Sequence, residues 1–259
     1  MKKYLGIIIL LISFSISAQD KGFKDMSDPL AVFTSVGFGA TNRGLNAKFT
    51  LAYPSGEPGI ASLNALEIKG FLGEELGWDR TSRKSNDIDT VRLRRFSVNG
   101  AKQTATQIDA TYNFKGNNLA EQNISAAYSY VHGIPEFWNI NLYPLGGVGL
   151  EIGKNAIEDD DTIDSGYSIM GINAVIGMFA KLAITKKIWL NYNPLWIVAI
   201  SGSDRFENHA YGNKDNLLTH EFAIGYQINP QLNLRYFANW NNLIDYTDGD
   251  HRLEFNYQF

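Results

Sequence analysis

The sequence predicts an all-β chain: a transmembrane, antiparallel, up-and-down β-barrel of about twelve strands behind a cleaved N-terminal signal peptide. Three observations carry this expectation. The C-terminal segment alternates strictly between apolar and polar residues, a short apolar leader opens the chain, and tight turns interleave in phase with longer loops between further alternating segments.

The terminal stretch is Asp250 to Phe259. Leu253, Phe255, Tyr257 and Phe259 share one parity, while Arg252, Glu254, Asn256 and Gln258 take the other. Period-two alternation belongs to a strand with one face in an apolar medium and one in a polar medium. A strand of this kind that ends the chain on an aromatic residue resembles the terminal signal strand of Gram-negative outer-membrane β-barrels. The resemblance implies a cell outer membrane location, surrounding outer-membrane lipid, and delivery to the barrel assembly machinery through the Phe259 strand.

At the other end, Lys2 and Lys3 precede an apolar run from Leu5 to Ile16 and the small residues Ser17 and Ala18. That is the layout of a signal peptide, and the run falls short of the roughly 20 apolar residues of a spanning helix. We expect cleavage after Ala18, so that 1–18 is leader, 19–30 a periplasmic segment and 31–259 the barrel. Cleavage moves the net charge from −4 to −6, because two lysines leave and no acid does. A mildly acidic chain does not suit a nucleic-acid partner. With no cysteine there is no disulfide framework, so burial and hydrogen bonds must hold the exported domain.

Twelve segments alternate in order: 31–40, 45–53, 64–73, 90–98, 105–114, 123–131, 138–152, 167–184, 188–200, 217–228, 231–240 and 250–259. Tight turns are expected at 99–104, 132–137, 185–187 and 229–230, and outer loops at 74–89, 153–166, 201–216 and 241–249. A two-sheet sandwich also alternates, but it has no reason to keep this phase of short and long connections. Several points conflict locally. Residues 63–76 also read as an amphipathic helix; Arg95-Phe96 breaks parity, which a β-bulge would restore by turning Phe96 and Val98 outward; and Pro144 and Pro194 should kink or interrupt their strands. Tyr53, Tyr112, Tyr128, Tyr130, Trp138, Tyr192, Trp196, Tyr226, Tyr236, Trp240 and Tyr257 take the outward parity, where amphipathic rings suit a lipid–water boundary.

Chemistry is sparse. Outer-membrane phospholipases and lipid A deacylases resemble the chain in size and architecture, and place a serine within about two residues of a histidine on a strand face. Here the residues two after each histidine are Ile134, Tyr211, Phe222 and Leu253, so no catalytic residue is assigned. The carboxylates Glu158, Asp159, Asp160, Asp161 and Asp164 do not match the spacing of an EF-hand loop, and read as a solvated outer loop with no metal. Gly146-Gly147-Val148-Gly149 fails the dinucleotide-binding pattern because Ile152 occupies its last position. No cofactor is expected.

The inward parity carries the functional clue. Lys48, Lys69, Arg92, Arg94, Lys115, Lys181, Arg235 and Arg252 point into the lumen against Glu67, Asp109, Glu151, Glu221 and Glu254. A basic lining in a low-dielectric wall favours anions. Twelve strands with such a lining are similar to the small oligouronate and sialic-acid porins, which implies a track for acidic sugars at Arg92, Arg94, Arg235 and Arg252. The expected function is a narrow channel for diffusion or uptake of small polar solutes, anions among them, with Lys48, Lys69, Arg92, Arg94, Lys181, Arg235 and Arg252 as the lumen or solute-binding residues. The alternatives are a closed structural or partner-binding barrel acting through its outer loops and, third, a lipid-modifying enzyme.

Overall fold

A computed structural model describes residues 22–41, 44–73 and 88–259. The leader, the tip of the first outer loop and most of the expected loop at 74–89 lie outside the described residues. Thirteen strands form one antiparallel sheet: β1 (Ser35–Thr41), β2 (Gly44–Pro54), β3 (Ile60–Phe71), β4 (Thr90–Asn99), β5 (Thr104–Asn113), β6 (Gln122–His132), β7 (Ile134–Phe137), β8 (Ile140–Ile157), β9 (Ile163–Ala183), β10 (Ile188–Gly202), β11 (Asn216–Asn229), β12 (Leu232–Asn241) and β13 (Asp250–Gln258). Each strand pairs with its neighbours in sequence, β6 passes over β7 to pair with β8, and β1 pairs with β13. The ring therefore closes as a twelve-stranded barrel with β7 as a short extra strand.

The terminal strand forms the seam. It is hydrogen-bonded on both sides, from Ser35↔Gln258 to Thr41↔Arg252 on β1 and from Leu232↔Tyr257 to Asn239↔Asp250 on β12. Its parity is the expected one, with Leu253, Phe255, Tyr257 and Phe259 exposed on the barrel exterior and Arg252, Glu254, Asn256 and Gln258 buried inside. Inward crowding explains the glycines of β1: a Cβ on Gly39 would lie 2.7 Å from Asn46 Oδ1, and one on Gly37 would lie 2.7 Å from Asn256 Oδ1. The wall there has no room for a side chain.

Several expectations change. Strand β1 starts at Ser35, and the preceding residues run inside the barrel mouth. Residues 63–71 are strand, since Leu63 to Lys69 pair residue by residue with Phe96 to Thr90. Strand β4 has no bulge: its register is continuous, Arg95 is exposed, and Phe96 and Val98 are buried inward with Arg92 and Arg94. Parity alone could not show that part of the lumen is apolar. Pro144 sits where β8 exchanges β6 for β7 as partner, and Pro194 opens a gap in the β9–β10 ladder between Tyr192↔Ala180 and Leu195↔Gly177. Neither proline breaks its strand, because the missing donor falls where one ladder is already open. Trp138 is no strand residue. With Asn139 it adopts left-handed backbone (φ 48° and 63°), making the tight turn between β7 and β8 that leaves its ring 91% exposed. The expected loop 153–166 is mostly strand; β8 and β9 have 18 and 21 residues, about twice a bilayer crossing, so their hairpin stands above the rim.

The exterior belt generates a prediction. Phe255 lies between Phe38 and Leu234 on the outward face. Replacing it with arginine should destabilise the barrel by about 2–4 kcal/mol, measured by denaturant titration in phospholipid vesicles.

Candidate functional site: a charged lumen with a covered mouth at each end

Along the barrel axis, ionised side chains form a layer at mid-height. The Arg92 guanidinium donates from Nε to Asp109 Oδ1 (2.8 Å), with a second bond between the same groups, and Arg94 pairs with Glu67. Across the lumen, Glu254 is 1% exposed and accepts from Lys48 Nζ (2.7 Å) and Asn46 Nδ2 (2.7 Å), with Arg252 Nε 3.4 Å away. The Phe237 ring lies between two guanidiniums, with Arg252 4.1 Å and Arg235 4.5 Å from its centroid. Arg235 donates to Asn191 Oδ1 (2.9 Å), and no carboxylate contacts it among the described residues. Lys69 stands one inward position above Glu67 on β3. Register places these groups together: β13 sits beside β1, so the last strand's Glu254 comes within reach of Asn46 and Lys48 on the second.

Five of the expected lumen cations, Lys48, Arg92, Arg94, Arg235 and Arg252, thus belong to one layer, with Lys69 at its edge. Lys181 stands apart at the periplasmic mouth, and Lys115 lies beyond β5 at the outer rim, 2.5 Å from Asp89. The lining is less basic than a count of inward cations implies, because Glu67, Asp109 and Glu254 are each held by a cation. Burying charges without such partners is costly.

Two cavities flank the layer. The upper, of about 400 Å³, opens toward the outer loops; the lower, of about 180 Å³, lies toward the periplasmic end. Arg92, Arg94, Phe179, Asn193 and Glu221 line both.

Below the lower cavity the chain's own N-terminal segment covers the mouth. Lys24 is clamped by Gln258, whose Nε2 donates to the Lys24 carbonyl (3.0 Å) and whose Oε1 accepts from the Lys24 N–H (3.2 Å). Asp25 accepts from Lys181 Nζ (2.7 Å) and Ser27 Oγ (2.5 Å), and Tyr143 donates to Asp28 (3.0 Å). Leu30 and Val32 then pack on an apolar cluster of Phe96, Val98, Val131, Tyr143, Leu145 and Val175 that lines this end of the lumen. Inward apolar residues on β4 and β8 were the available signal for such a lining, because they have no purpose in an aqueous pore.

The outer mouth is narrowed by a short helix, α1 (Asp204–His209), which directs Phe206 (1% exposed) onto Leu119, Ala156 and Met170. The acidic outer loop holds this helix. Asp159 accepts the backbone N–H groups of Asp204 (3.1 Å) and Arg205 (2.8 Å), Arg205 pairs with Asp161, and its Nε donates to the Glu158 carbonyl (3.0 Å). Spacing shows only that these acids are solvated, whereas their partner lies more than forty residues away in sequence.

No protein-family model and no curated protein sequence matches the chain. Its structure does have solved counterparts. The NanC porin aligns with a TM-score of 0.51 at 9% identity, over 87% of this chain and 98% of that one. The KdgM porin, solved in complex with disordered oligogalacturonate, gives 0.49 at 6% identity over 88% and 99%, and the translocator domain of the autotransporter NalP from Neisseria meningitidis gives 0.46 at 9% over 88% and 88%. The fold is that of a small outer-membrane porin. In this fold two of the four histidines bond tyrosine hydroxyls: His220 Nδ1 bonds the Tyr192 hydroxyl (2.8 Å) and its ring stacks on Trp240, and His251 Nδ1 bonds the Tyr236 hydroxyl (2.7 Å). Both lie on the exterior face, and neither bonds a serine hydroxyl among the described residues.

The docked segment titrates. Burial raises the Asp25 pKa, but the bonds from Lys181 and Ser27 outweigh it and hold the carboxyl below its ordinary value. A depressed folded-state pKa contributes stability that is present above the undocked value, about 3.9, and lost as pH falls through the docked one. Docking should therefore be intact near neutrality and loosen below about pH 4, or at neutral pH in Asp25→Asn. Faster protease cleavage within 22–32 in intact liposome-embedded barrels is the expected readout.

Proposed function

We propose that this barrel is an outer-membrane channel for passive passage of small polar solutes, narrowed at its two ends by α1 and the N-terminal segment. The observation that carries the reading is the pair of cavities stacked along the axis on either side of a shared, mostly polar lining of Arg92, Arg94, Phe179, Asn193 and Glu221, inside a wall whose exterior is apolar. The exterior fits a lipid environment, the closed ladder satisfies the backbone without water, and the terminal Phe259 strand is the address by which an assembly machinery would recognise the chain. Lys48, Arg92, Arg94, Arg235 and Arg252 face the lower cavity against Asp28, Glu67 and Glu221, and this surplus of cations favours anionic groups there. Lys69 extends the same field upward, and Lys181 anchors the segment that narrows the exit.

Planar-bilayer recording tests the channel. Purified protein should give small, reproducible current steps, and deleting residues 22–32 should enlarge them by removing Leu30 and Val32 from the lumen. The absence of current above background in both forms would overturn the reading. With Arg235→Glu, anion preference should fall, because the lower cavity then loses its cationic surplus.

A further inference from the structure

Three carboxylates of the upper cavity, Glu151, Glu221 and Asp250, take part in no direct ion pair among the described residues. Arg252 and Lys69 nevertheless lie near enough to attract both Glu221 and Asp250, and Arg92 near enough to attract Glu221. Glu151 accepts from Ser125 Oγ (2.7 Å) and Asn173 Nδ2 (3.4 Å), and Glu221 from Asn193 Nδ2 (2.8 Å). These hydroxyl and amide donors are neutral, and Glu151 in particular has no cation in contact with it among the described residues. Each amide also keeps a carbonyl oxygen with no donor: Asn173 Oδ1 and Asn193 Oδ1 are buried and unpartnered, as is one oxygen of Asp250. Asn173 is 3% exposed and Glu151 7%, so water compensates little of this. A wall with surplus negative charge and surplus acceptors calls for a positively charged hydrogen-bond donor.

The floor of the same cavity has the opposite character. Arg92 and Arg94 form it, and Arg235, which no carboxylate contacts, lies beneath in the lower cavity. Acid therefore stands above base along the axis. A purely anionic solute meets the acidic wall first, and a purely cationic one is stopped by the arginines. A bare metal ion fits poorly, because no three ligating side chains converge among the described residues. The carboxylates are spread around a space of about 400 Å³, which suits an organic solute.

We propose that the upper cavity binds a small amphoteric solute, an ammonium and a carboxylate joined by a short chain, with the ammonium against Glu151, Glu221 and Asp250 and the carboxylate on Arg92 and Arg94. This names a solute class for the channel proposed above and rests on that reading for the route of entry, while binding itself does not require conduction.

Calorimetric titration of the detergent-solubilised full chain with 4-aminobutyrate, butyrate and n-butylammonium tests it. The amphoteric probe should bind at least about tenfold more tightly than either singly charged one, the loss expected when one charge contact is missing. Glu221→Gln and, separately, Asp250→Asn should each reduce that preference. Equal or tighter binding of butyrate or butylammonium, no detectable binding of 4-aminobutyrate, or a preference untouched by both substitutions would overturn the proposal. The wild-type ranking decides alone if a variant fails to fold. Silent bilayers with intact binding would remove the channel and leave this site, whereas conduction without the preference would remove the site and leave the channel.

Discussion

The structure depends on the hydrogen-bonded seam between its first and last strands. In hydrocarbon an unpaired backbone amide costs several kcal/mol, so a sheet can cross lipid only when it has no edge. The register from Ser35↔Gln258 to Thr41↔Arg252 removes both edges at once. It also sets which side of every strand faces inward. A shift of one residue at that seam would exchange Phe255 for Glu254 and turn the belt of apolar side chains into the lumen.

Closure creates a second problem, which the lumen solves unevenly. Twelve strands enclose more space than an eight-stranded barrel, whose side chains fill its interior. At mid-height this chain fills it with ion pairs along the inner wall: Arg94 to Glu67 and Arg92 to Asp109 between adjacent strands, and Lys48 to Glu254 across β1. Toward the periplasm the filling is apolar and is completed by Leu30 and Val32 from the N-terminal segment. Toward the outside it is acidic and incomplete. The axial order of apolar, basic and acidic zones gives the interior a direction, and a solute crossing it meets a different chemistry at each level.

Exterior and interior also differ in how their polar groups are satisfied. On the outside, Tyr192, Tyr236, His220 and His251 pair ring with hydroxyl, so that few polar atoms are left toward lipid. Inside, amide side chains are spent on carboxylates, which leaves carbonyl oxygens without donors. Gln107, Asn173 and Asn193 keep such oxygens around the upper cavity, and Asn46, Asn123 and Asn256 elsewhere in the lumen.

The sequence by itself determined the architecture. Leu253, Phe255, Tyr257 and Phe259 against Arg252, Glu254, Asn256 and Gln258 is a local pattern, and period two sorts side chains to faces without knowledge of neighbours. Turns such as Asn229-Pro230 were legible for the same reason. The tertiary structure alone decided what the inward face does. Whether Arg94 is a track for solute or a partner of Glu67 depends on which strand lies beside β4, and Glu254 meets Lys48 only because the barrel closes. Phe96 looked like a parity error because alternation encodes inside and outside but not whether the inside is wet. That was decided by a segment more than sixty residues earlier, which folds back into the mouth and makes one end of the lumen an apolar core.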